Sequence, residues 1–358
     1  MKRMIQGTMT AVAVVAMAQA AQAGGDSGAV WWPIDLVSQA PDGTQTVVTY
    51  EPLAAAADAH KICALFPHMK DSIWLAVNYG LVDEARRQNV NLNIFDAGGY
   101  ENLPRQIAQF DDCLAGGYDA IILGAISEGG LAQKLREAEE QGVPVIAVLN
   151  NINEAVITGR VYPDMIEMAR ASAAFTLETL GGAEGKIVTL PGPAGAGWAE
   201  LLNDSYKEAL AGADNVEVIG ERFGDSGVAV QMQLLQDVLQ AYPEVNVLYA
   251  GAPGVEASEG ALEIAGRQDI LVVPAYENDA VHDMVKAGTI SGFSAQYPTL
   301  QGRLAMDMTI RAVEGSLEMP FVFPQPGVIT TETIADMDLS VLVAAPRDYS
   351  AVFAVAAE

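Results

Sequence analysis

From residue 61 onward the chain alternates short apolar runs with longer stretches that are apolar on one side only. Ile62–Phe66 is continuously apolar and closed by Pro67. It is too short for a helix and reads as a buried strand. A polar turn follows, in which Asp71 or Ser72 can cap a helix. Ile73, Val77 and Leu81 then recur at a helical interval and give one apolar face, while Asp83, Glu84, Arg86 and Arg87 suit a wet one. Leu92–Phe95 is the next strand. Strand, helix and strand in so few residues predict a βαβ unit with parallel strands and a right-handed crossover. Ligands of such sheets lie at the carboxyl ends of strands, so Phe66 to Trp74 is the first place to expect a site.

The same pattern predicts strands at 61–66, 91–96, 119–124 and 143–149, with helices near 71–88, 101–115 and 128–141. Gly142 and Pro144 punctuate the last of these junctions. A second series has strands at 186–190, 216–219, 245–250, 270–274 and 290–295, and helices near 164–180, 199–211, 227–241, 256–266 and 278–287. Upstream, Thr46–Tyr50 alternates like a strand after the turn Pro41-Asp42-Gly43. Val156 to Pro163 reads as a crossing segment, and after a final helix near 299–314, residues 321–331 cross back. The expectation is an α/β protein of two like lobes with parallel sheets, joined by several crossings that form a hinge and leave a cleft. The expected division is a signal peptide at 1–23, an N-terminal arm at 24–59, an N-terminal lobe from 60–157 and 297–322, and a C-terminal lobe from 158–296 and 323–358.

The first residues carry a processing signal. Lys2 and Arg3 precede the apolar run Met9–Met17, and Ala21-Gln22-Ala23 is a cleavage pattern, so export to the periplasm with cleavage after Ala23 is expected. The rival reading, a retained anchor, meets a run shorter than a membrane span. Nineteen basic against 46 acidic residues give −27, and loss of Lys2 and Arg3 leaves 17 against 46, or −29. That charge argues against nucleic acid and against direct contact with an anionic membrane, leaving a membrane reached only through a partner protein. Trp31-Trp32-Pro33 reads as an arm packed on the body, since exposed tryptophans are rare; the alternative is a contact for a protein partner.

Cys63 and Cys113, the only cysteines, have no Cys/His cluster and do not make a zinc site. Export permits a disulfide between them; the alternative is two buried thiols. His60, His68 and His282 lack metal-ligand partners at helical spacing, and no metal or cofactor is expected. Residues 192–197, GPAGAG, lack the Gly-Lys-Ser/Thr ending of a phosphate loop and read as a loop at the cleft mouth. Ser72 and Ser226 open helices and read as caps. No catalytic constellation is visible, so an enzyme is not expected.

Ser294-Ala295-Gln296-Tyr297-Pro298, the following Gly302-Arg303 and the preceding Val285-Lys286-Ala287-Gly288 resemble a motif of type I periplasmic binding proteins, a likeness running from Lys61 onward. Within that superfamily the chain resembles the TorT family, periplasmic partners of TorS sensor kinases that respond to trimethylamine N-oxide. Lys61-Ile62-Cys63-Ala64-Leu65, Lys70-Asp71-Ser72, Trp74-Leu75, Asn78-Tyr79-Gly80, Glu84-Ala85-Arg86-Arg87, Ala97-Gly98-Gly99-Tyr100, Pro191-Gly192-Pro193 and Leu234-Leu235-Gln236 carry the likeness. Both cysteines fall where this family places them. The resemblance implies two Rossmann-like lobes joined by a multi-strand hinge. It implies a small methylated amine or N-oxide as ligand, and the periplasmic domain of a sensor histidine kinase as partner. The alternative is a substrate-binding protein of an ABC transporter.

Sugar-binding relatives place charged or amide groups at several strand ends. This chain has Ser127, Gly251-Ala252-Pro253 and Tyr276 there, which would leave sugar hydroxyls unpaired. Rings suit a methylated ammonium instead. Trp74, Tyr276, Tyr162 and Trp198 form the expected cage, Gln296 or Ser127 would donate to an N-oxide oxygen, and Phe66 and Asp71 complete the site at the first strand's end. The chain departs from the family at His60, and at Tyr162-Pro163-Asp164-Met165, where a tryptophan is expected.

Overall fold

The computed structural model describes residues 31–153, 156–325, 327–335 and 337–358. The expected signal peptide lies outside them. In chain order the elements are β1 (Ile34–Gln39), β2 (Gln45–Tyr50), β3 (Lys61–Phe66), α1 (Ser72–Gln88), β4 (Asn91–Asp96), α2 (Leu103–Ala115), β5 (Ala120–Leu123), α3 (Glu128–Gln141), β6 (Val145–Val148) and β7 (Gly159–Val161). There follow α4 (Met165–Leu180), β8 (Gly185–Leu190), α5 (Trp198–Leu210), β9 (Val216–Glu221), α6 (Val228–Ala241), β10 (Val247–Ala250), α7 (Ala252–Ala265), β11 (Leu271–Pro274) and α8 (Asp279–Ala287). The chain closes with β12 (Gly292–Ser294), α9 (Pro298–Val313), β13 (Phe321–Pro324), β14 (Val328–Thr330), two single-turn helices and β15 (Ala354–Val355).

Two sheets are built from these strands. The first runs β15-β4-β3-β5-β6-β7-β13-β1-β2 and the second β11-β10-β8-β9. The run from β4 to β13 is parallel, as is the whole second sheet. Their central strands are buried from end to end, which is why they appear as unbroken apolar runs rather than alternating ones. A small antiparallel pair, β12 with β14, lies beside the second sheet's lobe.

The expected lobe boundaries shift in three places. Gly159–Val161, expected on the C-terminal side, is a strand of the first sheet, paired with β6 and β13. β13 stays in that sheet through Pro324, and only β14 crosses to the second lobe. The chain's end, also expected in the C-terminal lobe, returns to the first sheet as β15, antiparallel to β4. In each case a backbone ladder decides the side, and two or three paired residues leave almost no trace in hydropathy. The N-terminal arm is likewise a sheet element: the hairpin β1–β2 extends the first sheet beyond β13. Trp31 is buried, stacks on Tyr50 at 6.2 Å and donates to Oε2 of Glu84 at 3.3 Å, so it packs as expected.

The Gly302-Arg303 pair holds the two long helices of the first lobe together. A Cβ on Gly302 would fall 2.4 Å from the Val77 carbonyl oxygen, so only glycine lets α9 lie this close to α1. Arg303, fully buried, donates to Oδ2 of Asp83 at 3.0 Å and to the Val341 carbonyl. Cys63 and Cys113 are joined as a disulfide between β3 and α2, with Cα atoms 6.1 Å apart.

Candidate ligand-binding cleft

The carboxyl ends of both sheets face one another across a cleft. Its first wall comes from the loop after β3, which carries His68 and Asp71, with Trp74 in the first turn of α1. Tyr100 follows β4, and Asn150 follows β6. The second wall comes from Trp198 at the start of α5, Ser226 before α6, Tyr276 after β11 and Gln296 after β12. Together with Ile73, Leu149 and Met165 these line a cavity of about 320 Å³, counting the space at its open mouth.

The rings form a continuous arc across the lobes. Phe66 and Trp74 are 5.0 Å apart, His68 stands edge-on to Tyr100 at 5.3 Å, Tyr100 meets Trp198 at 6.0 Å, and Trp198 stands edge-on to Tyr276 at 5.6 Å. Both tryptophans lie against glycines. A Cβ on Gly124 would fall 2.4 Å from the Trp74 ring, and one on Gly192 would fall 2.7 Å from that of Trp198.

The lobes are closed on each other by polar contacts. Asp71 caps α1, accepting from the Ile73 amide at 3.3 Å, and also accepts from the Tyr276 hydroxyl and Asn278 Nδ2 of the other lobe, each at 3.1 Å. Asn278 in turn caps α8 through its oxygen, which accepts from the Val281 amide. The Asp279 amide donates back to Ser72 Oγ at 3.0 Å. Two helix amino ends, each partly positive, thus meet around one carboxylate. Trp198 Nε1 donates to the Tyr100 hydroxyl at 3.0 Å, and Lys70 pairs with Asp225 at 3.0 Å at the mouth.

Charge in this space is acidic. Burial lifts Asp71 to about 6, against three donors that pull it down. Beside the cavity, burial lifts Glu277 to about 7, although its oxygens accept from the Gln296 and Tyr297 amides. Burial holds His68 down to about 4, so its ring is neutral. Among the described residues, no lysine or arginine lines the cavity.

Of the residues expected at the site, Trp74, Tyr276, Trp198, Gln296 and Asp71 line the cavity. Three do not. Ser127 caps α3, accepting from the Gly130 amide at 3.3 Å. Tyr162 packs on Phe321 in the core of the first lobe, where its hydroxyl donates to the Ile152 carbonyl, because the strand that ends at Val161 belongs to that lobe's sheet. Phe66 backs Trp74 from below. Ser226 is not a cap: Gly227 takes that position of α6. Ser72 likewise yields the cap of α1 to Asp71. Tyr100, Asn150 and His68 line the cavity as well, and none of them is among the residues expected there. Asn150 follows its predicted strand by one residue, Tyr276 by two and Tyr100 by four, so the strand-end rule reaches Asn150 as directly as Tyr276 and Tyr100 less directly. His68 was weighed only as a metal ligand; among the described residues no group of acidic, His or Cys side chains is arranged for a metal.

Residues 62–317 match a periplasmic binding protein domain. The chain belongs to that family. Periplasmic protein TorT of Escherichia coli (strain K12) is 31% identical over 296 residues, which cover 82% of this chain and 84% of TorT. Among solved structures, an ABC transporter solute binding protein from Bradyrhizobium sp. BTAi1 with bound bis-tris is 34% identical, with a TM-score of 0.76, covering 91% of this chain and all of that one. TorT in its complex with the TorS sensor domain, without ligand, is 26% identical with a TM-score of 0.73, covering 82% of this chain and all of that one. As a member of this family the chain is a periplasmic ligand-binding protein. Its two sheets and the cleft between them are the family's architecture, and among the described residues no helix is long and apolar enough to cross a membrane.

Proposed function

We propose that the chain is exported, cleaved after Ala23, and binds trimethylamine N-oxide or a related small methylated amine in the interlobe cleft. The closed form is then read by the periplasmic domain of a TorS-like sensor histidine kinase that controls anaerobic respiration. The observation that carries this reading is the ring arc of Trp74, Tyr100, Trp198 and Tyr276 around a small cavity with acidic neighbours and, among the described residues, no lysine or arginine in its lining. Ring faces attract the positive surface of a methylated nitrogen, and a buried carboxylate nearby strengthens that preference. Closure by contacts from both walls links occupancy to shape, because a ligand that touches both lobes favours the closed form by its differential affinity. The likeness to TorT supports the kinase as reader, since TorT is solved in complex with the TorS sensor domain both without ligand and in the presence of TMAO. No step here needs catalysis, and the protein acts as a binder.

Calorimetric titration of the mature chain with trimethylamine N-oxide, other methylamines and sugars tests the ligand. Co-purification with a sensor domain, with and without ligand, tests the partner. Saturable binding of a sugar and none of a methylamine would discard the ring-cage reading. A second reading, delivery to an ABC transporter, is favoured by the Bradyrhizobium relative, which is named as a transporter protein and holds bis-tris, itself an amine. It predicts the same ligand class but association with a permease rather than a kinase.

A further inference from the structure

The nine-stranded sheet ends at β2, which has β1 on one side and, among the described residues, no strand on the other. The hairpin turn fixes which of its main-chain groups face outward. The Ala40 amide donates to the Thr44 carbonyl at 2.8 Å, and the β1–β2 register then runs without a slip to Ile34 opposite Tyr50. Bonded and unbonded pairs alternate along an antiparallel ladder. Thr46, Val48 and Tyr50 therefore bond to β1, while Gln45, Val47 and Thr49 turn their N–H and C=O groups to solvent. The other side of β1 agrees: Leu36 stands opposite Pro324, which has no N–H to give, so the bonds to β13 fall to Val37.

Exposed edges are ordinarily blunted by charge, proline, irregularity or shortness. The other sheet ends are treated that way. β9 carries Glu217 and Glu221, and its ladder to β8 slips between Ile187 and Val188. β15 is two residues long, and β11 is largely buried and ends at Pro274. None of this protects β2. Its six residues are uncharged, Val47 is 62% exposed, and the hairpin's only charges, Asp35 and Asp42, lie towards its two ends. On a chain of net charge −27, whose copies repel one another, this edge presents no like charge to a second copy.

We propose that two copies of the chain pair edge to edge through β2, antiparallel about a twofold axis at Val47. Val47 is the middle one of the three outward residues, so this register alone uses all of them. It exchanges both main-chain bonds with Val47 of the second copy, and Gln45 does so with Thr49 of the second copy. Side chains meet as Val47 with Val47, Gln45 with Thr49 and Thr46 with Val48, mostly β-branched pairs that suit adjacent strands. The two turns lie at opposite ends of the joint, which keeps the Asp42 carboxylates apart. One sheet then runs through both molecules. A single strand pair buries less than the roughly 1,200 Å² of a stable interface, so the dimer is weak and reversible.

The test uses the mature full chain, whose only two cysteines are already joined. Single thiols are introduced by Val47→Cys, Gln45→Cys and Thr49→Cys, all at exposed positions, and oxidised mildly. Val47→Cys should form a covalent dimer at least about tenfold faster than either other variant alone, because only residue 47 meets its own copy, with Cα atoms about 5.5 Å apart and within disulfide reach. A mixture of Gln45→Cys and Thr49→Cys should form the mixed dimer in preference to either homodimer. In sedimentation, the average mass of wild type should rise with concentration up to about 1 mM. Val47→Pro removes an outward N–H and no bond of the hairpin, so it should abolish that rise and melt like wild type. If Val47→Pro melts early, the cross-linking pattern decides. Equal cross-linking rates at the three positions, a wild-type mass that stays constant, or a rise that survives in a well-folded Val47→Pro each overturn the proposal.

Discussion

The Tyr276 hydroxyl donates to Oδ2 of Asp71 over 3.1 Å, from the end of a strand in one lobe to the helix cap of the other. Asp71 thus does two jobs with one carboxylate: it ends α1 and it receives the second lobe. Tyr276→Phe keeps the ring in the cage and removes only the latch. The expected result is a ligand-free protein that scatters X-rays as a more open particle, with affinity reduced by about three- to tenfold as closure becomes costlier. An unchanged scattering profile together with unchanged affinity would mean that this bond does not hold the cleft.

Trp74 serves the cavity and the core at once. It is 2% exposed and backed by Phe66. Truncation to alanine therefore removes a ring from the cage and leaves a void beneath it, at a cost of about 3–5 kcal/mol in stability. Trp74→Ala should melt several degrees lower and bind ligand at least tenfold more weakly, whereas Trp198→Ala, at the cavity's other end, should weaken binding with a smaller loss of stability. Thermal denaturation and titration of both proteins separate the two effects. Wild-type affinity in both variants would remove the rings from the site.

The strands and helices of both lobes were legible because parallel strands buried on both faces stand out as apolar runs. Trp74 and Tyr276 were legible because the strand-end rule points at them. Tyr162 was misplaced for a related reason: it follows an apolar stretch, but the stretch is β7, whose ladder to β6 and β13 puts it in the first lobe's core. Ser127 obeys the rule in position and fails it in direction, since its hydroxyl turns back to cap α3. The ladders of β7 and β15 are two or three residues long, too short for any periodicity to show.

The Cys63–Cys113 bond closes a loop with a sequence separation of 50 residues, tying β3 to α2 inside the first lobe. Cross-linking a loop of that length restricts the unfolded chain and contributes about 4 kcal/mol in the loop-entropy account, less if the unfolded state keeps structure. Replacing both cysteines by alanine should lower the urea midpoint accordingly. Ligand affinity should change little, because neither residue lines the cavity. A double variant as stable as wild type would show that the bond adds nothing to the fold.

Glu277 links stability to pH. Burial outweighs the backbone donors and lifts its carboxyl to about 7, so the folded protein holds this proton more tightly than the unfolded chain does. The sign follows directly. Below about 4, where the unfolded carboxyl is protonated too, there is no penalty; the penalty grows as pH rises and is complete above about 7. Asp71, lifted to about 6, acts in the same direction over a lower window. Wild type should therefore lose on the order of 2–3 kcal/mol from Glu277 between pH 5 and pH 8. Glu277→Gln cannot titrate and should not share that loss. Urea denaturation of both proteins across that range is the measurement, and the variant is expected to gain on wild type steadily as pH rises. A stability difference that stays flat with pH would mean that Glu277 keeps its charge throughout, held by the Gln296 and Tyr297 amides strongly enough to cancel its burial.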